Sequence, residues 1–252
     1  MAAPPNLVTL LPSTDVEISR WCLHRWGLAY RERPHAPIFH LLAVIWYGGR
    51  AYPIFIDGKQ KLSGLDAMVE TLDGSAPPER RLVPDATDEP ARHTQVMDLQ
   101  KTFRWTMGSG TVQWAYYHLL PHKDLTWASF TTGVPGWETA FLRVGYGLIA
   151  WLMVRGLSLN PENARKGLDD VRRGFDQCEE LLADGRPYLT GDRLSFADLA
   201  FAGSAAPMVL EPGYGGHLPA LDQVPDDMRE VVVELRQRPA GAFVRRLYER
   251  DR

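Results

Sequence analysis

A chain of 252 residues that is 45% hydrophobic and 10% aromatic can bury a substantial core, as one large domain or two modest ones. A formal net charge of only -3 and the lack of long runs of like charge exclude a nucleic-acid footprint and a polybasic membrane patch. The two cysteines, Cys22 and Cys178, form no CxxC pair or ligand cluster, which excludes a disulfide framework, a zinc site and a dithiol redox centre. Cys22 reads as a small buried hydrophobe.

The N-terminus, MAAPPNLVTLLPS, lacks the basic start and long apolar core of a signal peptide, so a cytoplasmic protein is expected. Leu7 to Leu11 is a short β-favouring run stopped by Pro12 and Ser13. Val16, Trp21, Cys22, Leu23 and Trp26 then recur at near-helical spacing, and Gly27 stands where a helix C-terminal glycine belongs. Leu28-Ala29-Tyr30 starts a second strand, and Pro34 to Pro37 interrupts the chain before an apolar segment from Ile38 to Tyr47. Tyr52 to Ile56 reads as a third strand, turned by Asp57-Gly58 into a short fourth, and Leu62 to Leu72 as a compact helix. The order is β-α-β, α, β-β-α.

Residues 74 to 90 are rich in Pro, Gly and charge and mark a linker, giving an α/β domain over 1–78, a linker over 79–90 and an all-helical domain over 91–252. Ala91 to Leu120 is a long amphipathic helical stretch, and Pro121 to Gly136 reads as a loop holding Trp127 and Phe130. Phe141 to Leu159 is greasy enough to suggest a membrane span, but Arg143, Arg155, Tyr146 and three glycines make it a core helix, and no membrane is expected. Asn160-Pro161-Glu162 supplies an N-cap, an N1 proline and an acidic first turn, followed by Leu168, Val171, Phe175, Cys178 and Leu182 on one face.

In Pro187-Tyr188-Leu189-Thr190-Gly191-Asp192-Arg193-Leu194-Ser195-Phe196-Ala197-Asp198-Leu199, Ser195 and Asp198 have the spacing of a capping box that opens an apolar helix. This segment resembles the signature that glutathione transferases carry in their helical half. The N-terminal half is similar to the same family's thioredoxin-like domain, with Tyr52-Pro53 at its cis-proline position and Ser13 fourteen residues before Gly27, the spacing of serine-type members. The tail RQRPAGAFVRRLYERDR is similar to many bacterial members.

The resemblance implies the glutathione-transferase fold, with an α/β thioredoxin-like N-terminal domain and an all-α C-terminal domain, and glutathione as co-substrate. In its terms Ser13 donates a hydrogen bond to the glutathione sulfur, lowering a thiol pKa that is about 8.5 in a free thiol, with Thr14 as fallback. The backbone of Tyr52, before a cis Pro53, pairs with the peptide of glutathione. Read from the residues alone, Ser13 equally suits a helix N-cap, and Pro53 a trans proline opening an edge strand. The resemblance also implies a homodimer and an apolar pocket between the two halves, to which Trp105 and Tyr117 contribute. The bland reading of helical aromatics such as these is core packing.

This sequence departs from the family pattern in three places. The acidic-Ser pair that holds the γ-glutamyl end reads Gly64-Leu65, with Ser63 and Asp66 as the neighbours able to restore part of the contact. Asp15 and Glu17 stand close after Ser13, where they favour the helix but oppose a thiolate. Arg50 and His40 are the candidates for the basic residue that meets the glycine carboxylate. His118 and His122 have metal-pair spacing, but Pro121 breaks the helix such a pair needs, so no metal is expected. The expected function is conjugation of glutathione to, or glutathione-assisted isomerisation of, a small hydrophobic electrophile. The alternative is a glutathione-independent protein of the same fold, a binding protein or a repurposed isomerase or cyclase, holding an apolar ligand.

Overall fold

The computed structural model describes residues 4–252; Met1–Ala3, at the start of the N-terminal segment read above, lie outside the described residues. In chain order the elements are β1 (Asn6–Thr9), α1 (Thr14–Trp26), β2 (Arg31–Pro34), α2 (Phe39–Trp46), β3 (Ile54–Asp57), β4 (Gln60–Ser63), α3 (Leu65–Leu72), α4 (Pro90–Lys101), a π-helical turn (Thr102–Met107), α5 (Gly108–Leu119), α6 (Lys123–Thr131), α7 (Gly136–Gly156), α8 (Pro161–Leu182), α9 (Phe196–Ala205), α10 (Asp226–Gln237) and α11 (Pro239–Arg250). This is a small α/β part followed by a helical part, the architecture expected. Two compact units result. The first comprises the chain up to Arg81 with Thr126–Leu152 and Gly215–His217; the second comprises Leu82–Leu125, Met153–Tyr214 and Leu218–Arg252.

The first unit is built on a four-stranded sheet of order β2-β1-β3-β4, with β1 parallel to β2 and antiparallel to β3, and β3 antiparallel to β4. Val8 of β1 and Ile54 of β3 pair in register and pack with Ala43 and Val44 of α2, burying one face of that helix. β2 begins three residues later than its apolar sequence suggests. Gly27, at φ 75°, ends α1 in the left-handed region, and Leu28 then donates its N–H to the Leu23 carbonyl, completing the helix cap instead of joining a ladder. Arg31, bonded to the Pro5 carbonyl, is the first residue to pair.

Although β2 reads Arg-Glu-Arg-Pro, it is anchored by charge. Glu32 receives the buried Arg20 of α1 through Nε (3.1 Å) and Nη2 (2.6 Å), while Arg20 Nη1 reaches the fully buried Glu17 at 3.1 Å. Glu17 also accepts from the Gly215 N–H. A two-pronged guanidinium–carboxylate contact shared with a second acid leaves neither buried charge uncompensated.

Two sequence expectations change here. The predicted loop over 121–136 contains α6, and Phe130 on that helix is buried. The predicted core helix after Phe141 forms as α7, but Phe141, Val144, Leu148 and Trp151 lie more than half exposed. Periodicity reports an apolar face without saying what it faces. Among the described residues no single helix is long and apolar enough to cross a membrane.

In the second unit α8 starts at its predicted cap, with Asn160 Oδ1 accepting from the Asn163 N–H at 2.9 Å. It crosses α5 at Gly110 and Gly167, where a Cβ on either residue would stand 2.5–2.6 Å from the other's carbonyl oxygen. α9 is buried along its whole length. Its Asp198 carboxylate accepts from the Leu189 N–H, the Ser195 N–H (both 2.8 Å) and the Ser195 hydroxyl (2.6 Å), tying the 187–194 turn to the helix start.

Candidate functional site

β1 delivers the chain through Leu10-Leu11-Pro12 to Ser13, whose extended backbone (φ -73°, ψ 132°) makes it the N-cap position of α1, with its carbonyl taking the first helical bond from Glu17. Its side chain does not cap the helix. The Ser13 hydroxyl instead hydrogen-bonds the Tyr52 phenol. Burial, with the nearby Asp15 carboxylate adding to it, pushes the Tyr52 phenol above its usual range, and the Ser13 hydrogen bond pulls the other way. The phenol therefore keeps its proton at neutral pH. Of the two acids that follow Ser13, Glu17 is turned away into the Arg20 pair, whereas Asp15 bears on Tyr52.

Tyr52 precedes a cis peptide bond to Pro53, the geometry that the family resemblance implies. Its ring also meets His40 edge-on, with centroids 4.8 Å apart. His40 is 8% exposed, with its ring bonded to the Ala36 backbone and Nδ1 buried without a hydrogen-bond partner. Burial lowers its pKa to about 4, with His35 adding, against the opposing pull of the Ala36 hydrogen bond and of Glu138. The imidazole is therefore neutral at neutral pH and packs beside Tyr52.

This burial fixes a pH response. The unfolded histidine takes up a proton below its ordinary 6.5, the folded one only near 4, so the unfolded state binds more protons in between. Stability should be full above pH 6.5 and fall as the pH drops toward 4, by up to about 3 kcal/mol. Urea unfolding across that interval measures it, and His40→Phe should flatten the slope.

Ser63 ends β4 facing the 49–51 loop. Its hydroxyl accepts from the Arg50 and Ala51 N–H groups (2.8 and 2.9 Å) and donates to the Ala51 carbonyl (2.9 Å). One donor and two lone pairs are all in use, so this side chain shapes the loop rather than reaching a ligand. The Arg50 side chain is exposed. Gly64 takes φ +89° and ψ 157°, a conformation essentially reserved for glycine, and its N–H bonds the Pro53 carbonyl. Leu65 is 1% exposed and belongs to the core, while Asp66 is exposed in the first turn of α3.

The first unit thus brings Ser13, Tyr52 and His40 together around the end of β1, with Ser63 holding the adjacent loop. Trp105 and Tyr117 lie in the second unit. Trp105 is exposed on the π-helical turn, and Tyr117, partly buried on α5, stands edge-on to His118. Glu138 escaped sequence reading. Nearly fully buried in the first turn of α7, it accepts from the Ala36 N–H (2.8 Å) and meets His35 Nδ1 (2.7 Å), fixing the loop that leads into His40. No local pattern marks it, because its partners lie about a hundred positions earlier. The Tyr52 side chain was likewise missed, since the resemblance gives a role to its backbone alone.

Residues 161–249 match the family described as glutathione S-transferase, C-terminal domain. The fold matches a glutathione transferase from Phanerochaete chrysosporium at a TM-score of 0.63 and 15% identity, covering 100% of this chain and 98% of that one. It matches a glutathione S-transferase from Sinorhizobium meliloti at 0.57 and 18%, over 96% and 92% of the two chains. A theta-class glutathione S-transferase from Xanthomonas axonopodis pv. citri, solved with glutathione bound, matches at 0.53 and 16%, over 99% and 97%. Residues 161–249 thus match that family's C-terminal domain, and the chain as a whole has the glutathione-transferase fold.

Proposed function

We propose that the chain is a glutathione transferase-like enzyme in which Ser13 donates a hydrogen bond to the glutathione sulfur. The observation that carries this reading is the Ser13 hydroxyl, which stands at the N-terminus of the 13-residue helix α1 and is not spent on capping it. There the helix's positive end and a hydroxyl donor both favour thiolate over thiol. The thiolate then bonds to the electrophilic carbon of an apolar substrate, and the leaving group, the halide in an aryl halide, departs with the electron pair of its bond to that carbon. Tyr52, held protonated, donates to the Ser13 oxygen and leaves the Ser13 proton for the sulfur. The glutathione-bound theta-class structure and a β-etherase of like fold from Sphingobium (TM-score 0.58, 14% identity, 96% and 98% coverage) support chemistry of this class. Cys22 and Cys178, both buried and outside any disulfide, suit a reducing compartment such as the cytoplasm.

Glutathione binding should be weak. Gly64-Leu65 presents no side-chain donor or acid, His40 is neutral and the Ser63 hydroxyl is filled. Asp66 and Arg50 are left as the charged contacts for the two ends of the tripeptide. One missing charge-assisted contact costs about 1.5–3 kcal/mol, or roughly one to two decades in affinity. Calorimetric titration should find binding in the millimolar range, and a standard aryl halide should be turned over. Ser13→Ala should lower kcat/KM by about 10- to 100-fold and remove the ultraviolet thiolate band while glutathione still binds.

The buried Leu65 favours a second reading, a protein of this fold that holds an apolar ligand without glutathione. Tight binding of a hydrophobic dye with no heat from millimolar glutathione would replace the first reading with this one.

A further inference from the structure

The segment that carries the chain from β2 into α2 has a strained backbone. Ile38, at the N-cap position of α2, takes φ 72° and ψ -47°, close to the γ-turn of positive φ. A β-branched residue rarely adopts it, and one that does persists only where its surroundings over-determine it. Those surroundings come from the start of α7, a hundred positions downstream but in the same compact unit. On one side of Ile38 the Glu138 carboxylate accepts from the Ala36 N–H (2.8 Å) and meets His35 Nδ1 (2.7 Å). On the other, the Phe39 ring stands edge-on against Trp137 (centroids 5.1 Å apart) and Phe141 (5.3 Å). Glu138 is 1% exposed. An acid so deeply buried is unfavourable unless paired, and both its oxygens are engaged on this one loop.

From the held loop a short series of contacts leads to the reacting end of the site. The Ala36 carbonyl accepts from the His40 N–H at 3.0 Å and also bonds the His40 ring. That ring stands edge-on to Tyr52, whose phenol is hydrogen-bonded to the Ser13 hydroxyl. Ala36 and His40 are both buried, so neither shifts without moving its neighbours. We propose that Glu138 is a positioning residue for Ser13: by holding the 35–36 backbone it fixes His40 against Tyr52 and so aims the Tyr52–Ser13 pair at the glutathione sulfur, a role that presupposes the thiol chemistry proposed for Ser13. Without the carboxylate the Ala36 N–H loses its acceptor, Ile38 relaxes and the first turn of α2 moves with it. The Ser13 proton is then no longer aimed at one point, and a hydrogen bond weakens steeply once its angle is lost.

Ultraviolet titration of the thiolate band, with the full chain saturated by glutathione, tests this. In the parent the midpoint should lie below the value of about 8.5 for a free thiol. Glu138→Ala should raise it by about one unit, a tenfold loss of thiolate, and lower kcat by about tenfold with little change in KM for glutathione. His35→Ala, which keeps the Ala36 bond and so the fold, should raise it by about half a unit. His35→Asn, whose amide nitrogen can stand in place of Nδ1 and donate to Glu138, should restore the parent midpoint. Because Glu138 acts through Tyr52, the substitutions should not add: in a Tyr52→Phe chain, Glu138→Ala should move the midpoint by only about 0.3 units or less. A merely structural role would lower the urea unfolding midpoint and leave the thiol midpoint where it was. An unchanged thiol midpoint in Glu138→Ala and His35→Ala, a loss seen only in KM, or equal shifts with and without the Tyr52 hydroxyl would overturn the role of Glu138 while that of Ser13 stands. A parent with no thiolate band that Ser13→Ala removes would overturn both.

Discussion

Replacing Gly167 by valine should lower the unfolding free energy by about 3 kcal/mol or more, the upper end of what overpacking costs. The reason lies in the α5–α8 crossing. At Gly110 and Gly167 the two helix backbones touch, and a Cβ on Gly167 would stand 2.6 Å from the Gly110 carbonyl oxygen. No rotamer relieves that overlap, because the obstacle is backbone on a partner helix that is itself packed. The helices must part, and the contacts along their length loosen together. Gly174, seven residues and about two turns further along the same face of α8, offers a useful contrast. A Cβ there meets the Met107 side chain, a flexible neighbour able to move, so Gly174→Ala should cost less. Urea unfolding of the variants measures both, with Gly74→Ala, where a Cβ meets nothing, expected within about 0.5 kcal/mol of the parent.

Asp198→Ala should cost about as much, roughly 3 kcal/mol, by a different route. The carboxylate is fully buried and accepts from two backbone N–H groups and one hydroxyl. Its removal leaves the Leu189 and Ser195 N–H groups without an acceptor, and each buried donor so stranded costs about 1–3 kcal/mol. Loss of the helix cap adds about 1 kcal/mol. Asp198→Asn keeps an acceptor oxygen and should fall between. Ser195→Ala, which removes one donor and leaves both N–H bonds intact, should cost about 1 kcal/mol. The effect should appear in urea unfolding and leave glutathione affinity unchanged in the chain that remains folded.

Local chemistry is what the sequence displays well. The start of α1 after Ser13, its glycine stop at Gly27, the Asn160 cap and the Ser195–Asp198 pair each depend on residues within a few positions, and all are found. α6 was hidden because Pro121, Gly133 and Pro135 surround it with turn chemistry, outweighing the weak helical spacing of Leu125, Trp127 and Phe130. β2 was displaced because its residues are charged, and its hold comes from Arg20, eleven or more positions earlier. At the candidate site the same division appears. Ser13 and the cis Tyr52–Pro53 bond were readable from the resemblance. The Ser13–Tyr52 hydrogen bond, the saturation of Ser63, the neutral His40 and the Glu138 anchor all depend on which side chains meet across the fold, and spacing carries none of that.

The π-helical turn at Thr102–Met107 gives Trp105 an unusual standing. Such a turn accommodates one residue more than the α-helix around it, and the segments before and after keep the faces they would have had without it. Val96 and Leu99 on one side and Trp114 and Leu119 on the other are buried, so the supernumerary residue disturbs no core position. Trp105, 59% exposed on that turn, is not part of the buried frame. The scaffold leaves the identity of that side chain open, and it can be exchanged without the helical unit being rebuilt.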